Sequence, residues 1–201
     1  STIVYDNLTD KLKVPYEMGE TREDQLQGTN IDKLIELAGR VCYDSLGLGR
    51  NSEEYHKHIN NVLHHSMHEH ANLVFEVDIN DKMPWDSFYL NLLNRPGVYI
   101  RKLNAIKELS DFGYKLRITA NLRSIREWNK YNYNRIGEYL GWQLLKCAQQ
   151  TSKLALSDCI YKEENKYFDI KLVNPITDEE IWCSVFITNV SRAFSHELVR
   201  H

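Results

Sequence analysis

The sequence predicts an α+β fold in which helices pack on a mixed or antiparallel sheet. Three patterns carry that expectation. Ile31, Leu34, Ile35, Ala38 and Val41 recur at helical spacing, and Tyr55, Ile59, Val62 and Leu63 repeat it. Residues 72–79 alternate instead, with Leu73, Phe75, Val77 and Ile79 on one face and Asn72, Glu76 and Asp78 on the other, as in a half-buried strand.

In chain order, a short strand is expected near Ile3–Tyr5, followed by loop to residue 29 through Pro15, Gly19 and Gly28. The first helix starts at Asn30, with Asp32 near its N-terminus, and ends around Tyr43–Ser45, before Gly47 and Gly49. Ser52-Glu53-Glu54 opens the second, its acids placed in the first turn. The reading puts His56 and His58 on that helix's solvated side. Asp86–Leu93 reads as a helix stopped by Arg95-Pro96-Gly97. Leu116–Trp128 and Ile136–Leu156 read as helices, Lys162–Val173 and Trp182–Thr188 as strands, and Ser191 as the N-cap of a final helix.

A chain of 201 residues can bury an ordinary core without disulfides or a structural metal. Lys+Arg total 25 against 28 Asp+Glu, which excludes a protein held to nucleic acid by overall charge alone. No run approaches the roughly 20 apolar residues of a membrane span. Cys42, Cys147, Cys159 and Cys183 form no Cys-x-x-Cys pair and read as reduced, mostly buried thiols of a cytoplasmic protein. The start at Ser1 and the stop at Val199-Arg200-His201, within a helical pattern, suggest a piece of a longer chain.

Three clusters bear chemistry. His56, His58, His64, His65, His68 and His70 include ligand-type spacings, but no Cys stands nearby and there is no His-Glu-x-x-His order, so no metal site is assigned. Lys115, Arg117, Arg123, Arg126, Lys130 and Arg135 are interleaved with Trp128, Tyr131 and Tyr133, and face a single acid, Glu127. That stretch is either a phosphate- or base-binding patch or an ordinary exposed face. Arg192, His196 and Arg200, spaced by four, share one face of the last helix, an arrangement suited to a phosphorylated ligand.

Three segments together resemble one family. Gly39-Arg40-Val41-Cys42-Tyr43-Asp44-Ser45 is similar to the Ala-Arg-Val-Ser-Tyr segment of flavin-dependent thymidylate synthases. His64-His65-Ser66-Met67-His68-Glu69-His70 resembles their His-x-Ser-x-Phe-Glu-His stretch. Val190-Ser191-Arg192-Ala193-Phe194-Ser195-His196-Glu197-Leu198-Val199-Arg200-His201 resembles the helix that enters their Arg-His-Arg signature. The resemblance implies that family's fold and a homotetramer or other homo-oligomer with sites shared between subunits. It implies an enzyme that methylates dUMP to dTMP with methylenetetrahydrofolate, FAD and NADPH, without nucleic acid or membrane as partner. It places His64, Ser66, Arg200 and His201 at the cofactor, and Glu197 and Arg200 at the substrate. No catalytic residue is assigned.

The chain departs from the family in three ways. It stops before the third residue of Arg-His-Arg. About a hundred residues separate Glu69-His70 from the Arg200 helix, where the family has a short turn. That interval contains Asn121-Leu122-Arg123-Ser124, followed by Trp128, which resembles the Asn-x-Arg-Ser segment that follows the signature and touches FAD. Asn132 falls where the family has an Arg acting on the uracil. The segment is either a degenerate copy, or the true one lies beyond residue 201. The resulting division is 1–80 as the N-terminal part, 81–180 as an insertion, and 181–201 as the strand and helix entering the signature. Residues 1–201 alone are expected not to make dTMP. The rival reading is a non-catalytic nucleotide- or RNA-binding module on the same scaffold, and a weaker third is a His-rich metal protein.

Overall fold

The computed structural model describes residues 5–6, 11–12, 26–43, 45, 49–79, 92, 95–103, 114–131, 135–162 and 167–173. Two short strands, β1 (Tyr5–Asp6) and β2 (Lys11–Leu12), pair antiparallel; the sequence reading has loop where β2 lies. Helix α1 (Asn30–Cys42) is fixed at its start by a capping box. Thr29 Oγ1 accepts from the Asp32 N–H while the Asp32 carboxylate accepts from the Thr29 N–H, which satisfies two otherwise orphaned donors. Helix α2 (Ser52–Asn61) repeats the device with Asn51 and Glu54.

Helix α2 ends at Asn61, two residues short of the Leu63 that its apolar spacing suggests. The His64 N–H bonds the Ile59 carbonyl and the Leu63 N–H bonds that of Asn60, with Leu63 left-handed at φ 58°, a Schellman closure. Val62 and Leu63 therefore point outward, 40% and 72% exposed, instead of joining the buried face. His56 is a second correction. It is buried, not solvated, because it faces α1, whose Asp32, Glu36 and Arg40 act on it, with its ring edge-on to Tyr55 at 5.8 Å.

A 3-10 turn, His65–His70, leads into β3 (Asn72–Ile79), and β4 (Val98–Leu103), β5 (Tyr114–Asn121) and β6 (Phe168–Leu172) complete an antiparallel sheet in the order β4-β5-β3-β6. The first half of the expected helix over Leu116–Trp128, as far as Asn121, is thus strand. Leu116, Ile118 and Ala120 are buried opposite Val77, Phe75 and Leu73, while Lys115 and Arg117 pair with Asp78 and Glu76 on the other face. That period of two, with strands on both sides of β5, wins over helix propensity. Helix begins only at α3 (Leu122–Arg126), where the Asn121 side chain accepts from the Ser124 N–H and caps it.

A second 3-10 turn, Trp128–Tyr131, precedes α4 (Arg135–Ala148), whose Leu140 and Leu144 are fully buried in the core with Phe75, Val77 and Ile118. Gly141 lets α4 approach Trp128, since a Cβ there would collide with the indole. The expected helix to Leu156 stops at Ala148 because the N–H groups of Lys153, Leu154 and Ala155 turn to the buried Asp32 carboxylate at 3.0–3.1 Å. Ser152 Oγ donates to the same group. The described residues between 98 and 172 thus share one sheet and one core with those between 31 and 79. Cys147 is buried, Cys159 partly so, but Cys42 is exposed. The expected elements at Ile3, Asp86–Leu93 (apart from the buried Leu92), Trp182–Thr188 and Ser191 onward, together with Cys183, lie outside the described residues. Among the described residues no helix is long and apolar enough to cross a membrane.

Candidate functional site

A cleft of about 390 Å³ opens where the His65–His70 turn, the start of β4 and the β5–α3 junction meet. The turn places Glu69 there because His65, Met67 and His68 are buried and leave Ser66, Glu69 and His70 facing out. Opposite, Gly97 adopts φ +67°, and its N–H-side turn closes on β5 through the Asn121 N–H to the Gly97 carbonyl at 3.2 Å. A Cβ at Gly97 would collide with the Asn121 and Ser124 side chains, so the cleft wall needs glycine for both backbone and space. Ser124 Oγ donates to the Pro96 carbonyl at 2.5 Å and lies 2.9 Å from Asn121 Oδ1, which fixes the rotamers of that wall.

The charges are two arginines and two glutamates. Arg95 is 8% exposed, stacks 4.2 Å over the Trp128 ring and donates to the Trp128 carbonyl at 2.6 Å. Arg123 Nη1 donates to Glu69 Oε1 at 2.5 Å, and its Nε lies 3.4 Å from Glu127 Oε2. The Glu69 bond holds the Arg123 guanidinium above its ordinary pKa, so it is charged throughout. Burial tends to raise the Glu127 carboxyl, but Lys130, His65 and Arg123 outweigh it and hold it below the ordinary range. Behind it, Arg126 Nε donates to His65 Nε2 at 3.1 Å, so the His65 proton sits on Nδ1, 3.3 Å from Glu127 Oε1. Burial and Arg126 both lower the His65 pKa, keeping it neutral.

Chemically, the cleft offers forked guanidinium donors beside the Asn121 amide, a donor set matched to phosphate oxygens or to the polar edge of a heterocycle, while the Ser124 hydroxyl proton is committed to the Pro96 carbonyl. The Glu69–Arg123 pair is 48% and 42% exposed, and such pairs contribute only about 0–1 kcal/mol. An incoming anion can displace the Glu69 carboxylate at small cost.

The sequence-predicted residues are distributed as follows. His64 is exposed, its ring stacked on Tyr43 at 5.9 Å with Nδ1 3.2 Å from the Tyr43 hydroxyl, so the first two family-like segments meet there. Ser66 is exposed on the same turn as Glu69. Neither lines the cleft. Arg40 serves structure, bonded to Glu36 at 2.7 Å and to the Arg50 carbonyl at 2.6 Å. Glu197, Arg200 and His201, like Arg192 and His196, lie outside the described residues, as do Asn132 and Tyr133.

The basic stretch is not an open stripe. Lys115 is bonded to Glu76 at 2.8 Å, Arg117 lies 3.6 Å from Glu76, Arg126 binds Asp158, and Lys130 binds Glu127. Among the described residues no three His, Cys, Asp or Glu side chains are placed to hold a metal ion. Sequence reasoning did not single out Arg95, Gly97 or Glu127 for the site; the Pro96-Gly97 pair ahead of a strand was the available signal. Compared with known families, the chain matches no family model, and no curated protein matches it.

Proposed function

We propose that the chain is a flavin-dependent thymidylate synthase, or its N-terminal part, and that the cleft holds FAD. One observation carries this reading: two segments that resemble the family's flavin-contacting motifs, 54 residues apart at Glu69 and Arg123, meet across a single cleft. The α+β architecture, with helices on an antiparallel sheet, agrees with it.

The residues present suit the cofactor. A 390 Å³ cleft falls within the 300–1,000 Å³ range of ligand sites. Arg123 would take phosphate oxygens once Glu69 swings aside. Asn121 and Ser124, already held by the α3 cap, would orient the polar edge, and Arg95 on Trp128 would supply fixed positive charge behind them. Bound FAD would supply the hydride-carrying centre of dUMP methylation with methylenetetrahydrofolate and NADPH. The chain's own share is to bind, orient and neutralise.

The experiment is retention of yellow flavin absorbance after gel filtration of protein incubated with FAD. Retained flavin that Arg123→Ala loses supports the reading. A colourless protein that binds dUMP or RNA instead would support the binding-module alternative.

A further inference from the structure

His68 is fully buried, at 0% exposure, and neither ring nitrogen has a protein hydrogen-bond partner. His56, on α2, is in the same position at 1% exposure. A buried imidazole without partners is tolerated as a neutral group, but its protonated form is costly to bury without a counter-charge.

Among the described residues, the charged groups that act most on His68 are all basic. From α3 it meets Arg126, from its own turn His65, and from α2 His56. The His65 backbone favours the protonated ring only weakly and makes no hydrogen bond of ordinary geometry with it. The acids of this region are already engaged. Glu127 acts on His65, Asp158 is held by Arg126, Glu36 binds Arg40, and Asp32 accepts from residues 29 and 152–155. Asp32, Glu36 and Arg40, on α1, act on His56. From β5 the face toward the turn is apolar, with Lys115 and Arg117 on the other side.

His68 and Glu69 are adjacent on one short 3-10 turn, so what seats His68 in the core also aims Glu69 into the cleft. We propose that His68 is an acid-sensitive latch: protonation of its ring expels it from the core, releases the His65–His70 turn and dismantles the Glu69 side of the cleft. This holds whatever the cleft binds. Burial first, then Arg126, holds the His68 pKa down to about 3 from an ordinary 6.5. The sign follows directly. Between those values the unfolded or opened chain binds a proton that the closed form refuses, so stability is full above 6.5 and is lost as pH falls.

The test is urea unfolding of the chain and of His68→Phe between about pH 7.5 and 5, with hydrogen exchange of residues 65–71 read relative to α4 at each pH. Below 6.5 the unfolding constant of the native chain should grow relative to His68→Phe by up to about tenfold per pH unit, and the turn should lose protection before α4 does. His68→Gln, which also cannot titrate, should show the same reduced slope if Phe is not accommodated, the remainder coming from His56, His65 and His70. Equal pH slopes in the native chain and the variants would overturn the latch. So would a slope difference in which residues 65–71 and α4 lose protection together.

Discussion

Arg123 Nη1 donates to Glu69 Oε1 at 2.5 Å, a bond that joins the His65–His70 turn to the β5–α3 junction and forms the bridge across the cleft. Both side chains are nearly half exposed, so the bond positions them without locking them.

That relationship predicts opposite effects for its two ends. Arg123→Ala should weaken FAD binding about tenfold or more, since a hydrogen bond to a charged group contributes about 1.5–3 kcal/mol. Glu69→Gln removes the competitor and should strengthen binding by up to about fivefold, the equivalent of the roughly 1 kcal/mol upper value of an exposed pair. Titration calorimetry with FAD reads both. The same sign for both variants would show that Glu69 does not compete with the ligand.

Gly97→Ala should loosen the cleft without unfolding the chain. The left-handed φ of +67° costs an L residue roughly 1–2 kcal/mol, and the new methyl pushes Asn121 and Ser124 aside. A drop in FAD affinity with the circular dichroism spectrum intact is the expected result. Unchanged affinity would mean that this wall does not touch the ligand.

Asp32 is a structural carboxylate. Its two oxygens accept from Thr29 N–H and Oγ1, Ser152 Oγ and three successive backbone N–H groups. Asp32→Ala leaves those buried donors unpaired and should cost about 3 kcal/mol or more. The half-buried neighbour substitution Lys33→Ala should stay within about 0.5 kcal/mol. Urea midpoints compare the two; a small loss at Asp32 would contradict the accounting of donors.

Leu63 pays for its Schellman position in strain rather than recovering it in burial. With φ 58° and 72% exposure, Leu63→Gly should stabilise the chain by about 1 kcal/mol, seen as a higher melting temperature. A lower one would show that the leucine packs against something in solution.

Glu76 sits among Lys115, Lys171 and Arg117, and the Lys115 hydrogen bond leads in holding its carboxyl below the ordinary 4.5. A lowered carboxyl contributes stability above its ordinary value and loses it as pH falls. The destabilisation caused by Glu76→Gln should therefore shrink below about pH 4.5. A difference that persists into acid would point to packing instead of charge.

Local signals made α1, α2 and β3 legible: Thr29 and Asn51 cap their helices, and Leu73 to Ile79 alternate within one strand. Longer-range causes did not show. Leu116–Asn121 carries both a plausible helical spacing and an alternation, and only pairing with β3 decides between them. The α4 end depends on Asp32, more than a hundred residues away in the chain. His56 looked like a surface residue because its burial arises from α1 packing and not from its own helix pattern. Of the cleft's lining, Asn121 and Arg123 fall in a segment marked by the family resemblance, Arg95 and Glu127 enter through the fold alone, and His64 and Ser66 lie outside it.

Whether the cleft holds flavin is tested most directly by fluorescence quenching of added FAD, read side by side for the native chain and Arg123→Ala. Saturable quenching by the native chain is expected, with the binding curve of Arg123→Ala shifted about tenfold toward weaker affinity. No saturable quenching by the native chain, or superimposable curves for the two proteins, would contradict it.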